Sequence, residues 1–123
     1  MGKQIKITLP LIPPSINYYI GRDNRWQYQA DKKKLHQLVK ILTCGKRYNI
    51  NKCEMTIIYY FKDRRRHDPS NYDKILLDCL VEANVITDDN YGVITKFTTI
   101  GDYDKSNPRT EIIIEILEEE KCE

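Results

Sequence analysis

The chain of 123 residues carries 20 lysines and arginines against 18 aspartates and glutamates, a formal net charge of +2. This length fits one domain with a hydrophobic core, and we treat residues 1–123 as that domain, with residues 118–123 as a solvated acidic tail. No apolar run approaches the ~18 residues of a membrane span, and the amino terminus does not resemble a signal peptide. We therefore expect a cytoplasmic protein that makes no membrane contact.

The spacing of the cysteines argues against two kinds of site. Cys44, Cys53, Cys79 and Cys122 lie far apart in the sequence and form no Cys-x-x-Cys pair. This spacing predicts neither a zinc site nor a redox motif, so we expect reduced thiols.

Charge is distributed unevenly along the chain. Residues 1–66 contain 15 basic and 4 acidic residues, whereas residues 67–123 contain 5 basic and 14 acidic ones. A strongly basic half is typical of proteins that bind a polyanion, most commonly a nucleic acid. The alternative is that the two halves interleave in one fold and neutralise each other.

The first half of the chain predicts three elements. Residues 5–12 are apolar and β-branched and end at a Pro-Pro pair, which predicts a first strand followed by a loop over residues 15–28. Residues 28–44 place apolar side chains at helical spacing and predict a first helix. Residues 54–61 are β-branched and aromatic, which predicts a central or half-buried strand.

A second helix is predicted after Pro69. Proline suits the first turn of a helix, and Asp68 before it suits the N-cap position. An apolar stripe covers one side of this helix, while Asn71, Lys74 and Asp78 fall within roughly 60° of one another on the opposite side. Three polar side chains therefore share a face.

Two further strands are predicted at residues 93–100 and 110–117. The order of elements is then β-α-β-α-β-β, and the fold class is α+β: a single small domain with a mixed sheet and two helices.

The run RRRHDPSN at residues 64–71 places three arginines beside Asp68. Successive arginines repel one another unless a polyanion lies nearby, which favours contact with phosphate, although helix capping alone also explains a lone aspartate here. Asp68 and the later pair Asp88-Asp89 offer the hard oxygen ligands that Mg²⁺ prefers, and Lys74 offers a further cation. Hydrolysis of a phosphodiester needs this combination. The spacing does not show that the two acidic clusters converge.

The same residues resemble the RusA-type Holliday-junction resolvases. The run RRRHDPSN, a lysine three residues later, the helix KILLDCL and an acidic pair beyond it follow the order of that family's motifs. The segment PPSIN, residues 13–17, resembles the Pro-Pro-Ser-x-Asn signature that follows the family's first strand. The resemblance spans residues 5 to about 117, and such small endonucleases are often carried by phages and prophages.

The resemblance implies a homodimer that binds four-way junction DNA and nicks two opposed strands in recombination and repair. It also implies Mg²⁺, with Mn²⁺ as a possible substitute, held by aspartates. Carried over residue by residue, Asp68, Lys74 and Asp89 are catalytic, and Asp68, Asp88 and Asp89 bind the metal; Asn71 matches the family's asparagine. If these acids share a cation, Asp68 and Asp89 should approach within ~4 to 5 Å.

One position departs from the family pattern, because Ser70 stands where the family has a second acid. A neutral hydroxyl is a weak ligand for Mg²⁺, so the site should bind the cation less tightly or complete its shell with Asp73, Asp88 or DNA phosphate oxygens. Asp73 lies about 100° round the helix from Lys74, which argues against its place in the site. A protein that binds branched DNA without cutting it is therefore an alternative, and an RNase of similar fold is a third hypothesis.

The candidate DNA contacts are basic and polar residues within or near these motifs. They are Arg64, Arg65, Arg66, Asn71, Ser15, Asn17, Arg22, Arg25, Lys32 and Lys33. Residues 18–28 alternate aromatic side chains with arginine, a mixture suited either to unstacked bases at a junction or to closing the core or the dimer interface. The lysines that open the first helix suit either contact with a duplex arm or a solvated face.

Overall fold

The computed structural model describes residues 3–15, 25–65 and 67–119. Its elements in chain order are β1 (Lys3–Leu9), α1 (Arg25–Leu42), β2 (Ile50–Phe61), α2 (Asp73–Glu82), β3 (Ile94–Tyr103) and β4 (Arg109–Glu119). A 3₁₀ turn, Pro69–Tyr72, leads directly into α2. The predicted β-α-β-α-β-β order and the α+β class are confirmed.

The four strands form one mixed sheet in the order β1-β4-β2-β3. β4 runs antiparallel to both of its neighbours, whereas β2 and β3 are parallel. A parallel pair requires a crossover connection, and α2 provides it, so β2, α2 and β3 form one βαβ unit. β2 is a central strand, which is one of the two predicted possibilities, and β1 and β3 form the two edges.

The hydrophobic core lies between the helices and one face of the sheet. Successive side chains of a strand alternate between faces, so Met55, Ile57 and Tyr59 of β2 all point to the helices and are fully buried. Leu76 of α2 and Val39 of α1 pack into the same cluster. The opposite face of the sheet is covered by no helix among the described residues.

Several predicted boundaries differ from the structure. β1 ends at Leu9 rather than at residue 12, and β3 continues to Tyr103 rather than ending at residue 100. α1 begins at Arg25 rather than residue 28, because its first turn leaves Trp26 88% exposed and therefore has no apolar spacing to reveal it. β2 begins at Ile50 rather than residue 54, and its register against β4 shifts at Lys52, where polar residues interrupt the alternation. The helices have 18 and 10 residues, and no helix in the described ranges is long and apolar enough to cross a membrane.

The described cysteines are free thiols, as predicted. Burial raises the pKa of Cys53 to about 11 and that of Cys79 to about 12. Both thiols are therefore protonated and unreactive near neutral pH, which is consistent with a packing role. Cys122 lies outside the described residues.

Candidate active site

Several predicted site residues meet at one end of the sheet, which we call the Asp68 end. β1, β2 and β3 point in the same direction, so the segments that follow them emerge at this end. Tyr28 contacts Asp78 and Lys32 contacts Glu82, so α1 runs parallel to α2 and both helices begin here. The candidate residues that the topology assigns to the Asp68 end are Ser15, Arg25, Arg64, Arg65, Asp68, Asn71 and Lys74.

An open cleft of about 650 Å³ lies at the Asp68 end, which we call the arginine cleft. Its walls are formed by Phe61, Asp63, Arg64, Arg65, His67, Gly101, Asp102 and Tyr103. The guanidinium carbon of Arg64 lies 4.6 Å from the centroid of the Tyr103 ring. Guanidinium groups combined with aromatic rings suit a phosphate backbone and unstacked bases, so this cleft is the best candidate for nucleic-acid contact among the described residues.

His67 fixes the wall of the arginine cleft. Its ring stacks on Phe61 with centroids 4.0 Å apart, its Nε2 lies 2.8 Å from Oδ1 of Asp63, and its Nδ1 lies 3.3 Å from the Tyr72 hydroxyl. The hydrogen bond with His67 lowers the pKa of Asp63 and keeps that carboxylate ionised. These contacts hold the segment that carries Asp68 against the end of β2.

Asp68 occupies the N-cap position of the 3₁₀ turn, with an extended backbone (φ −100°, ψ 101°) and an exposed side chain. Its carbonyl oxygen accepts a hydrogen bond of 2.9 Å from the N–H of Asn71, but its side chain makes no capping hydrogen bond. Capping therefore does not explain why an aspartate stands at this position.

Asp73, the next acid, points into the core rather than into the cleft. Its side chain is 8% exposed, and its Oδ1 accepts hydrogen bonds from Tyr59 at 2.5 Å and from Thr99 at 3.2 Å. Burial raises the pKa of Asp73, and the two hydrogen bonds oppose this rise because they stabilise the carboxylate. Asp73 thus anchors the start of α2 to the sheet, in agreement with its predicted position away from Lys74.

Asp73→Asn should remove a pH dependence of stability that the wild-type chain carries. The pKa of Asp73 is raised in the folded state. Its contribution to the free energy of unfolding is therefore complete at pH values below the ordinary pKa of 3.8, and it is lost as the pH rises through the raised pKa. In urea unfolding from about pH 3 to pH 7, the wild-type free energy of unfolding should fall relative to that of the variant. Tyr59→Phe removes a hydrogen bond to the ionised form, so it should move this fall to higher pH. If the difference in the free energy of unfolding between wild type and Asp73→Asn did not change with pH, the raised pKa of Asp73 would be contradicted.

Lys74 lies in the first turn of α2, and its side chain is 62% exposed. Its Nζ lies 3.8 Å from Oδ2 of Asp78, and that oxygen also accepts a hydrogen bond of 2.5 Å from the Tyr28 hydroxyl. The predicted shared face is confirmed for these two residues of α2. The exposed ammonium group is available to a phosphate at the Asp68 end.

Asp88 and Asp89 belong to a turn before β3, residues 88–91, which we call the acidic turn. Oδ1 of Asp88 accepts a hydrogen bond of 2.7 Å from the N–H of Asp89, and its Oδ2 accepts one of 3.0 Å from the side chain of Asn90. The contact described for Asp89 involves its backbone N–H, and its side chain is exposed. Asp88 therefore shapes the turn, and the exposed carboxylate of Asp89 is the better candidate ligand for a cation.

The acidic turn and Asp68 lie at opposite ends of the βαβ unit. The N–H of Ile94, the first residue of β3, donates to the acidic turn at 2.9 Å. Pro69, beside Asp68, packs so closely on Gly101 near the end of β3 that a Cβ atom there would lie 3.0 Å from it. Seven residues of strand, roughly 23 Å, separate these two positions. The expected approach of Asp68 to Asp89 therefore does not occur within a single chain.

The chemistry of the donors nevertheless fits a hard cation. Asp68 and Asp89 both present exposed carboxylates, the type of ligand that Mg²⁺ prefers. Over residues 3–15, 25–65 and 67–119, no group of three or more histidines, cysteines, aspartates or glutamates is close enough to hold a metal. Each end of the βαβ unit thus presents one exposed carboxylate of the predicted ligand set.

The remaining predicted DNA contacts fall in different environments. Lys32 forms an ion pair of 3.0 Å with Glu82, and its side chain is 15% exposed, so its charge also joins α1 to α2. Lys33 is exposed on α1, and Arg25 is exposed in its first turn. The predictions for Asn17, Arg22 and Arg66 lie outside the described residues.

The sequence analysis missed Asp102 and Tyr103, which line the arginine cleft from the end of β3. In the sequence they belong to a polar stretch far from the arginines. Only the parallel pairing of β2 and β3 brings the two strand ends together. The predicted strand-helix-strand order could have placed Asp102 and Tyr103 near the arginines, because the carboxyl ends of neighbouring parallel strands lie at the same edge of a sheet.

A family model matches nearly the whole chain. The family described as "Endodeoxyribonuclease RusA" matches residues 4–115. No curated protein matches the chain with significant similarity. The matched range includes both the Asp68 end and the acidic turn.

Proposed function

Since the chain belongs to the RusA endodeoxyribonuclease family, we propose that it is a Mg²⁺-dependent homodimer that binds four-way DNA junctions and resolves them by paired nicks. Membership implies a Holliday-junction resolving nuclease that acts in DNA recombination. Beyond family membership, we propose that the nuclease depends on Mg²⁺, that it acts as a dimer and that particular residues form its site. It is carried by one observation: an exposed Asp68 beside the arginine cleft at one end of the βαβ unit, and an exposed Asp89 at the other end.

A two-fold dimer would unite the two partial sites. If two copies lie antiparallel along their βαβ units, the Asp68 end of one protomer faces the acidic turn of its partner. Each of two symmetric sites then contains Asp68 of one protomer and Asp89 of the partner subunit. Two such sites match the two symmetric cuts that resolve a junction, so catalysis would require the dimer.

In each site we assign Asp68 and the partner subunit's Asp89 as ligands of Mg²⁺, or of Mn²⁺ as a substitute, while Asp88 keeps the turn in shape. A cation of this type lowers the pKa of a bound water and offsets negative charge on the phosphate. Ser70 is exposed two residues beyond Asp68 and adds only a neutral hydroxyl. Phosphate oxygens of the DNA are therefore expected to complete the ligand shell.

Positive charge at the Asp68 end would bind and orient the DNA backbone. Arg64 and Arg65 line the cleft beside Asp68, and guanidinium groups suit phosphate because they donate two hydrogen bonds in one plane. Lys74 adds an exposed ammonium group in the first turn of α2, where the helix dipole also favours an anion. These cations would stabilise the charge that grows on the phosphate during cleavage.

A catalytically weak or inactive protein that binds branched DNA is the second candidate function. Ser70 favours it, because a site with one carboxylate fewer holds Mg²⁺ less tightly. Such a protein would keep the same basic surface and the steep salt dependence of binding that phosphate contacts produce.

Cleavage of an immobile synthetic four-way junction, compared with a linear duplex of the same arms, tests the proposal. Paired nicks that require both the junction and Mg²⁺ and that disappear with chelator are the expected result. Tight junction binding without a nick, in Mg²⁺ and in Mn²⁺, would refute the nuclease and favour the binding protein. Cleavage of structured RNA at comparable rates would instead favour an RNase.

Ser70→Asp is expected to lower the Mg²⁺ concentration that gives half-maximal nicking by about tenfold, because a second charged ligand is added beside Asp68. The measurement is a Mg²⁺ titration of the nicking rate on the four-way junction. Gln37→Glu adds the same charge on the exposed side of α1 and should leave the titration unchanged. An unchanged titration for Ser70→Asp would show that position 70 does not face the cation.

A further inference from the structure

Trp26 is the only tryptophan of the chain, and it is 88% exposed in the first turn of α1. A groove of about 330 Å³ lies against its ring, and among the described residues the walls of this groove are Arg25, Trp26 and Gln29. We call it the tryptophan groove. Because an indole ring gains much from burial, an exposed tryptophan in a groove is typical of a surface that a ligand covers.

The tryptophan groove faces away from the core. At 100° per residue, the buried residues Leu35 and Val39 lie roughly 140° to 180° round the helix from Trp26. Gln29 lies about 60° from Trp26, and the exposed Lys33 lies about 20° from it. The indole ring therefore does not belong to the core, and its own face of the helix is polar and basic.

Contacts between α1 and α2 place this groove beside the exposed ammonium group of Lys74. Tyr28, two residues after Trp26, donates a hydrogen bond of 2.5 Å to Oδ2 of Asp78, and Nζ of Lys74 lies 3.8 Å from the same oxygen. The axes of packed helices lie about 8 to 10 Å apart, a distance that a DNA strand covers in roughly three nucleotide steps. One strand can therefore contact Lys74 through a phosphate and Trp26 through a nearby base.

We propose that the tryptophan groove binds an unstacked base of junction DNA, which stacks on the indole ring of Trp26. The inference rests on the proposed function, because a four-way junction presents such bases where its strands exchange, whereas a continuous duplex keeps its internal bases stacked. It adds a contact outside the metal site and the arginine cleft. Aromatic side chains bind unstacked bases through their π faces, without regard to sequence.

Charge favours DNA as the occupant of the tryptophan groove. α1 contains five basic residues and one acidic residue, and its first turn contains no acid. A basic surface attracts the phosphates that flank a base. Arg25 and Gln29 also carry N–H groups of the kind that bond to base edges.

The fluorescence of Trp26 tests this contact directly, because no other tryptophan contributes to the emission. The wild-type chain is titrated with an immobile four-way junction, and separately with a linear duplex of the same arms, in chelator so that no strand is cut. Stacking on a base quenches indole emission. The junction should therefore quench most of the emission at saturation, and the duplex should quench much less.

Substitutions separate stacking from attraction to phosphate. Trp26→Ala should raise the dissociation constant for the junction about tenfold, whereas Trp26→Phe keeps an aromatic ring and should raise it less than about threefold. Neither change removes a phosphate contact, so the slope of log affinity against log salt concentration should equal that of wild type. Ile41→Ala shortens a side chain that is 72% exposed at the other end of α1, and this control should bind as wild type does.

Tight junction binding without quenching, or equal quenching by junction and duplex, would overturn the inference. So would emission that changes with protein concentration in the absence of DNA, since that would place Trp26 between two copies of the chain. Binding is measured here without catalysis. A junction that quenches Trp26 but is never nicked would refute the proposed nuclease and leave the base contact intact, and paired nicks without quenching would do the reverse.

Discussion

Asp68→Asn is expected to lower the rate of Mg²⁺-dependent nicking of a four-way junction by roughly a thousandfold. Asparagine keeps the shape of the side chain but replaces a charged ligand by a neutral amide, so the cation is held weakly. The arginine cleft is untouched, and junction affinity without metal should stay within about twofold of wild type. Single-turnover nicking rates and binding isotherms at one salt concentration measure the two effects separately.

Asp31→Asn is a matched control for this experiment. Asp31 lies on α1, where it accepts a hydrogen bond of 2.9 Å from Gln27, and the same substitution there should leave nicking unchanged. A chain with Asp68→Asn that nicks at the wild-type rate would show that Asp68 is not a ligand of the catalytic cation.

Asp89→Asn should also cause a large loss of nicking, roughly 10²- to 10³-fold, whereas Asp88→Asn should cost less than about tenfold. The difference follows from the acidic turn, in which the Asp88 carboxylate already accepts hydrogen bonds from Asp89 and Asn90. Asparagine at position 88 can still accept the backbone hydrogen bond and preserve the turn. In the proposed site the carboxylate of Asp89 is a ligand of the cation, and a neutral amide is a poor substitute for it.

The rates for both variants should be measured across a range of Mg²⁺ concentrations. Raising Mg²⁺ should restore most of the activity of Asp88→Asn, because its ligands remain and only their positions are less well fixed. Equal losses for the two variants would mean that both carboxylates contact the cation. A larger loss for Asp88→Asn would reverse their assignment.

The order of elements and the central position of β2 were predictable from the sequence, because long apolar and β-branched runs dominate both features. The first turn of α1 was not, since Trp26 is exposed there and leaves no apolar spacing. The anchoring of Asp73 was also beyond the sequence. It depends on Tyr59 and Thr99, which come from two neighbouring strands and meet the helix only after the sheet has formed.

The candidate site was predicted as a set of residues but not as an arrangement. The arginine run, Asp68 and the acidic pair stand out in the sequence because their charges are concentrated there. Their distances depend on the crossover through α2, which carries the chain from one end of the sheet to the other. The roughly 20 residues between Asp68 and Asp89 therefore place these acids at opposite ends of the βαβ unit, and it is the proposed dimer that would bring them together.

Mixing chains that carry Asp68→Asn with chains that carry Asp89→Asn tests the shared site most directly. In a mixed dimer one site loses both acids, whereas the other keeps Asp68 of one protomer and Asp89 of the partner subunit. Two inactive parents should then regain the ability to nick one strand of a junction once their subunits exchange, since about half of the dimers formed are mixed. If each site drew both acids from one chain, every mixture would stay as inactive as its parents, and the shared site would be contradicted.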